Sequence, residues 1–278
     1  MGSTGPETID CDVLIVGAGI FGTSTAYHLS LTHPDPSRIV VLDRAPFPSP
    51  EAASSDINKI VRADYSSAFY MDLAFEAMDA WSSWDFLKPY YHRTGWVALD
   101  EKTSDLSERI RVNFRNSGRP DPSQDITLEE VKTRWDGVLS GINTSDYSKA
   151  YTNLTAGWCD ASLVVEAMMK QAIQRGVRYE VGEVDGLIGG ERSLFGVRTT
   201  DGRMFCGRKI VLATGGWTPW LMAPLEQSLE IGEDDSVDRQ ISTAGVCVAA
   251  FTLTDEKEIE HYSKMPVLIY GSQVSLNL

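Results

Sequence analysis

Residues 12–22 read Asp-Val-Leu-Ile-Val-Gly-Ala-Gly-Ile-Phe-Gly, a short apolar run that ends in Gly17-x-Gly19-x-x-Gly22. Glycines at this spacing suit one chemistry, the binding of a dinucleotide pyrophosphate. Gly17 allows a tight strand-to-helix turn. Gly19 has no Cβ, so the backbone can approach the phosphates. Gly22 lets the following helix pack closely. The phosphates then meet free N–H groups and the positive end of a helix. Asp43 stands 21 residues beyond Gly22, at the end of a second apolar run, Ile39-Val-Val-Leu42. Its carboxylate is placed to accept hydrogen bonds from the adenosine ribose hydroxyls. An ordinary strand–turn–helix can carry such glycines by chance. Here the first strand, the helical pattern and the second strand all stand where a dinucleotide site needs them. The motif alone leaves NAD and FAD both open.

The elements that must hold these residues can be read along the chain. Val13–Val16 form a buried strand, Thr23–Leu31 a helix, and Ile39–Leu42 a second strand. Residues 44–58 are rich in Pro, Ser and Ala and read as a loop. Residues 66–87 read as a helix whose apolar face is Phe69, Leu73, Ala77, Trp81 and Trp84, at helical spacing. A strand is expected over Thr94–Leu99, with helices near 105–116 and 127–135. Asp160 can cap a helix that runs to Arg175 and stops at Gly176. Val177, Tyr179 and Val181 alternate as a strand. Asp201-Gly202 marks a hairpin within Leu194–Phe205. Ile210–Ala213 is a short, fully apolar strand of the kind buried on both faces of a parallel sheet. Thr214, Gly215 and Gly216 then turn at the carboxyl ends of the strands, where ligands bind in doubly wound folds.

The bulk composition excludes some classes. The 278 residues are 42% hydrophobic and 23% charged, ordinary values for a globular protein. The net charge of −14 argues against nucleic acid and anionic membranes as partners. The acidic run Glu230–Asp238 reads as a solvated loop. Cys11, Cys159, Cys206 and Cys247 are scattered, with no Cys-x-x-Cys pair, so reduced and mostly buried thiols are expected. His28, His33, His92 and His261 have no clustered partners, read as structural or surface residues, and imply no metal site. The first ten residues lack a signal-peptide pattern, no apolar run spans a bilayer, and the last residues, Ser-Leu-Asn-Leu, differ from a peroxisomal Ser-Lys-Leu. Cytoplasm is the default this leaves.

Three segments together carry a family resemblance. The Gly-rich turn, Asp43-Arg44 and Ala213-Thr-Gly215 resemble flavoprotein oxidoreductases of the D-amino-acid-oxidase-like superfamily. More narrowly, Ser54-Ser-Asp-Ile-Asn-Lys-Ile-Val-Arg-Ala-Asp-Tyr65 is similar to a segment of sarcosine oxidases and fungal fructosyl amino acid oxidases. Gly157-Trp-Cys-Asp160 and Gly215-Gly-Trp-Thr-Pro-Trp220 fit the same group. The resemblance implies FAD as cofactor. It implies that Gly17, Gly19, Ile20, Phe21 and Gly22 form the dinucleotide loop, and that Asp43 and Arg44 bind the adenosine. It further implies that Ser54, Asn58 and Lys59 run along the flavin and that the Val184 backbone meets the adenine. Thr214 and Gly215 join the cofactor set. Arg62 aligns with an arginine that holds a substrate carboxylate, a sensible role for a two-pronged guanidinium. By themselves, Lys59 and Arg62 are two cations three residues apart, as on many solvated faces.

The implied fold is α/β, a Rossmann-like FAD-binding domain interleaved with a mixed-sheet substrate domain. Residues 8–62 and 155–220 would build the first, including a β-meander over 185–207. Residues 63–154 and 221–278 would build the second. The implied reaction is oxidation of a C–N bond in a secondary-amine amino acid. Sarcosine-, fructosyl-, saccharopine-like and cyclic amines fit, as does a tailoring step in secondary metabolism. Dioxygen would take the electrons and form hydrogen peroxide. The resemblance also implies further substrate-sheet strands, an oxygen-activating lysine and a cysteine that often bonds to the flavin, all beyond residue 278. No position here takes those roles, and neither Cys247 nor Lys264 lies in the matching segment. The 278 residues alone are therefore expected to form a weak oxidase or none. The competing readings are a flavin dehydrogenase with another acceptor, and a non-catalytic or split-enzyme FAD-binding fragment acting through a partner. An exposed sheet edge would favour self-association or a second chain.

Overall fold

A computed structural model describes residues 7–190, 193–245 and 247–270. The first six residues and the tail from 271, on which the absence of targeting signals was partly read, lie outside the described residues. The chain divides into two compact units, Met1–Ile57 with Ala161–Cys247, and Asn58–Asp160 with Val248–Leu278. In chain order the first segment holds β1 (Thr8–Val16), α1 (Ile20–Thr32) and β2 (Ile39–Asp43). The second holds β3 (Lys59–Val61), α2 (Ala68–Ser83), β4 (Tyr91–His92), β5 (Trp96–Glu101), α3 (Leu106–Asn116), β6 (Ser123–Ile126), α4 (Leu128–Thr133), β7 (Tyr147–Asn153) and β8 (Gly157–Cys159). The third holds α5 (Ala161–Gln174), β9 (Arg178–Val181), β10 (Val184–Gly190), β11 (Ser193–Thr199), β12 (Met204–Leu212), α6 (Thr218–Ser228) and α7 (Val237–Gln240). The last holds α8 (Glu256–Tyr262) and β13 (Val267–Tyr270).

The first unit is built on a six-stranded sheet in the order β10-β11-β12-β1-β2-β9. β12, β1, β2 and β9 run parallel, whereas β10 and β11 are antiparallel. Leu14, Ile15, Val40, Val41 and Leu42 are fully buried, which is why these parallel strands read as unbroken apolar runs. The inward residues of α1 are mostly small, Gly22, Thr23, Ala26 and Ser30, so the helix approaches the sheet closely. The Asp201-Gly202 hairpin joins β11 to β12, with Gly202 at φ 86°. The expected Ile210–Ala213 strand is not separate from the meander. It is the second half of β12, which pairs with β11 at its start and with β1 along its whole length.

The second unit holds a four-stranded mixed sheet, β13-β5-β7-β6, and a three-stranded sheet, β3-β8-β4. The first unit ends at 57, resumes at 161 and ends again at 247, where the expected FAD-binding domain ends at 62, resumes at 155 and ends at 220. β3 pairs with β8, which carries 58–61 and 157–159 into the second unit, while α6 stays with β10 in the first. The buried face of α2 is Met71 and Phe75, flanked by Ala74 and Met78, against Ile110 and Phe114 of α3. Phe69 and Leu73 of the expected face are 66% and 48% exposed. The helix carries two apolar stripes, and only the partner helix decides between them. The acidic run 230–238 is largely exposed as expected, but it winds into the short turn Glu233–Asp235 and the start of α7.

Candidate functional site

In the first unit the turn after β1 is held on both sides. Gly17 N donates to the Leu42 carbonyl, and Ala213 N donates to the Val16 carbonyl, each at 2.8 Å. Gly17 has φ 102°, and a Cβ there would lie 2.4 Å from the Ala213 carbonyl oxygen. A Cβ on Gly22 would lie 1.8 Å from the Gly17 carbonyl oxygen. Packing therefore forbids any side chain at these two positions. Gly19 differs. A Cβ there would meet only Ala52 Cβ at 3.6 Å and Ser54 Oγ at 3.8 Å, both ordinary contacts. The protein does not require glycine at 19, so the missing Cβ leaves room for something else. Gly19 is the N-cap of α1, no side chain caps the helix, and the N–H groups of its first turn have no intrahelical partner. This cradle fits a bound pyrophosphate.

Asp43 reaches into this turn. Its Oδ2 accepts from Ala18 N at 2.7 Å, and its Oδ1 accepts from Ala45 N at 3.1 Å and Ser49 Oγ at 3.0 Å. An ionised carboxylate has about four acceptor sites, so room for about one further donor remains. The exposed Arg44 pairs with Glu51 at 2.9 Å, and its guanidinium lies 4.5 Å from the centre of the Trp217 ring. Thr214 Oγ1 lies 2.8 Å from Thr218 Oγ1, and Gly215, at φ 55°, faces open space. Ile20 and Phe21 begin α1 with their side chains 41% and 80% exposed. Val184 opens β10 two residues after Gly182, whose N donates to the Asp43 carbonyl at 2.8 Å, and its side chain packs on the core that includes Val16, Leu42 and Val197. Trp217 is the residue that sequence reasoning did not single out. Its partner Arg44 lies on another strand end, so no local spacing announces the pair.

In the second unit Asn58 and Lys59 are exposed where the chain enters β3. Arg62 is half-buried. Its guanidinium lies 4.2 Å from the Tyr65 ring centre and 4.9 Å from that of Trp96. Such contacts hold a guanidinium by about 0.5–2 kcal/mol each and leave its N–H groups unused. Among the described residues it has no hydrogen bond or ion pair. The neighbouring Asp64 is buried, and burial pushes its carboxyl above the usual range. Hydrogen bonds from Asn153 and Tyr151 and the charge of Arg62 draw it back. His92 has a structural role. Its Nε2 lies 2.7 Å from Asp160 Oδ2, and its ring stacks on Trp158 at 4.0 Å. Cys11 and Cys159 are buried, which pushes each thiol up to about 11, while Cys247 is exposed. Among the described residues no three His, Cys, Asp or Glu side chains gather as a metal site, and no helix is long and apolar enough to cross a membrane.

A family model described as FAD dependent oxidoreductase matches residues 12–256. The chain belongs to that family. FAD is therefore the cofactor to set against the Gly17–Gly22 turn, and NAD is set aside. L-saccharopine oxidase of Schizosaccharomyces pombe is 28% identical over 271 residues, which cover 92% of this chain and 59% of that protein. Human peroxisomal sarcosine oxidase is 26% identical over 216 residues, covering 77% of this chain and 53% of that one. A crystal structure of a thermally stable fructosyl peptide oxidase mutant superposes with a TM-score of 0.75 at 24% identity, over 94% of this chain and 60% of that one. This last likeness establishes the α/β fold. The chain thus spans between half and two thirds of the length of these relatives.

Proposed function

We propose that this chain binds FAD at the Gly17–Gly22 turn and takes part in oxidising a C–N bond of a secondary-amine amino acid. The observation that carries the reading is the contrast among the three glycines. Gly17 and Gly22 are demanded by the protein's own backbone, whereas Gly19 is open toward the end of α1. In this reading the N–H groups at the start of α1 hold the pyrophosphate, Asp43 and Arg44 hold the adenosine, and Thr214 and Gly215 border the cofactor. Asn58, Lys59 and Ser54 follow the flavin, and the Val184 backbone contacts the adenine. The first unit is then the FAD-binding domain and the second the substrate domain.

Bound FAD supplies a two-electron acceptor for the hydride that leaves the carbon beside the amine, and dioxygen finally takes the electrons as hydrogen peroxide. The chain's own part is to bind and orient. Arg62 offers its unpaired N–H groups to the carboxylate of the amino acid, and the Tyr65 and Trp96 rings hold that guanidinium in place. Loss of that hydride together with the proton on the amine nitrogen would leave an imine, which water would hydrolyse to a carbonyl compound and an amine. Amines of the sarcosine, saccharopine and fructosyl amino acid type fit this reading, which the names of the sarcosine, L-saccharopine and fructosyl peptide oxidases support. A second reading, an FAD-binding unit that works only with a partner chain, is favoured by the exposed Ile20, Phe21 and Trp217 around the turn.

The test is a peroxide assay on the FAD-loaded chain with sarcosine, saccharopine and a fructosyl amino acid, repeated with an artificial electron acceptor. Peroxide from any of them supports the oxidase. Turnover with the artificial acceptor alone makes it a dehydrogenase. Flavin retention with neither activity favours the partner-dependent reading.

A further inference from the structure

The segment after β3 carries an acid that the chemistry above does not use. Asp64 is 1% exposed. Burying a carboxylate is costly unless it is paired and hydrogen-bonded, and an apolar side chain would fill the same space at less cost. The two oxygens of Asp64 meet two donors from one strand. The Tyr151 hydroxyl donates to Oδ1 at 3.0 Å, and Asn153 Nδ2 donates to Oδ2 at 2.8 Å. Asn153 is itself fixed in orientation. Its Oδ1 accepts from Thr155 N at 2.8 Å and from the Thr155 hydroxyl at 2.7 Å. It therefore has only its NH2 to offer Asp64.

The same strand fixes the surroundings of Arg62. β7 pairs with β5 so that Asn153 stands opposite Trp96 and Tyr151 opposite Ala98. Trp96 is one of the two rings against the Arg62 guanidinium, and Tyr65, next to Asp64, is the other. The Tyr65 carbonyl is held by Asn113 Nδ2 at 3.1 Å. Arg62 and Tyr65 thus flank an acid that is bonded twice to the strand neighbouring Trp96. We propose that Asp64 is a positioning residue, which ties the Arg62–Tyr65 segment to β7 and so holds the Arg62 guanidinium against its two rings with its N–H groups available to a ligand carboxylate. This rests on the reading of Arg62 as the carboxylate-binding residue.

The test is an NMR titration of the full chain with acetate, read at the Arg62 Nε–H signal, with acetamide as the uncharged control. Acetate shifts the signal saturably in the unaltered chain, and acetamide does not. Asp64→Asn keeps the size of the side chain but leaves one oxygen for two donors, so either its NH2 faces that of Asn153 or it turns and the Tyr151 hydroxyl can no longer donate to it. Acetate binding is expected to weaken at least tenfold, with the circular dichroism spectrum unchanged. The double variant Asp64→Asn/Asn153→Asp exchanges donor and acceptor across the same contact and is expected to recover most of the binding. Loss of packing alone gives no such recovery. An Arg62 signal indifferent to acetate in the unaltered chain overturns both this inference and the reading of Arg62. A saturable acetate shift of the Arg62 signal in the unaltered chain that is kept or tightened in folded Asp64→Asn overturns the inference alone. Should Asp64→Asn not fold, Tyr151→Phe removes one donor with almost no change in bulk. Weakened acetate binding there supports the role, and unchanged binding overturns it.

Discussion

Asp43 Oδ2 lies 2.7 Å from the backbone nitrogen of Ala18, so the end of β2 is tied directly to the glycine turn that follows β1. The acid therefore has a structural role besides the ribose contact proposed for it. It sets the path of the backbone on which the phosphates are proposed to rest.

Asp43→Ala removes the acceptor for Ala18, Ala45 and Ser49 together. FAD affinity is expected to fall by about 1–3 kcal/mol, measured by calorimetric titration. Unchanged affinity would show that the turn holds its shape without the acid and that the ribose is bound elsewhere.

The three glycines should separate by phenotype. Gly17→Ala and Gly22→Ala drive a Cβ to within 2.4 and 1.8 Å of backbone oxygens, and Gly17 also needs its positive φ. Each is expected to cost about 1–3 kcal/mol of stability or more in urea unfolding. Gly19→Ala meets nothing closer than 3.6 Å, so the ligand-free chain should unfold at nearly the same urea concentration. Equal destabilisation by all three would remove the distinction on which the cofactor site rests.

Arg62→Ala should leave flavin binding intact and weaken a carboxylate-bearing amine by about 1.5–3 kcal/mol. Arg62→Lys should recover little, because an ammonium lacks the planar fork and the stack on Tyr65 and Trp96. Competitive binding of the acid and its amide reads this directly. An amide that binds as well as the acid would sink the assignment.

The thiols give a test of burial and of alkaline stability. At pH 8, Cys247 should react first with a thiol reagent, while Cys11 and Cys159 react only on unfolding. Burial raises both buried thiols from the ordinary value of 9.0 to about 11, and Tyr91 from 10.0 to about 12. Because the folded chain holds these protons more tightly, their contribution is complete below about pH 9. It is lost as pH rises toward 11–12. The melting temperature should therefore fall across that window. A flat profile up to pH 12 would contradict the burial of these groups.

Much of the first unit was legible because its signals are local. The glycine turn, the apolar strands Val13–Val16 and Ile39–Leu42 and the Asp201-Gly202 hairpin each lie within one short stretch of chain. The unread features are pairings across long separations. Trp217 meets Arg44 from the end of a different strand, Asp64 finds Tyr151 87 residues away, and His92 finds Asp160 68 residues away. The buried stripe of α2 was misread for the same reason. Both of its stripes have helical spacing, and only the position of Phe114 on α3 selects Met71 and Phe75. Gly19 was legible as part of a motif, but its openness, the property that separates it from Gly17 and Gly22, needed coordinates.

The most direct measurement is the visible absorption spectrum of the 278-residue chain after incubation with FAD and desalting, taken beside that of Gly19→Ala. The expected result is a retained, structured flavin band in the unaltered chain and its loss in Gly19→Ala, with both proteins equally folded by circular dichroism. A folded, unaltered chain that keeps no flavin, or a Gly19→Ala chain that keeps as much, would contradict the cofactor site at the glycine turn.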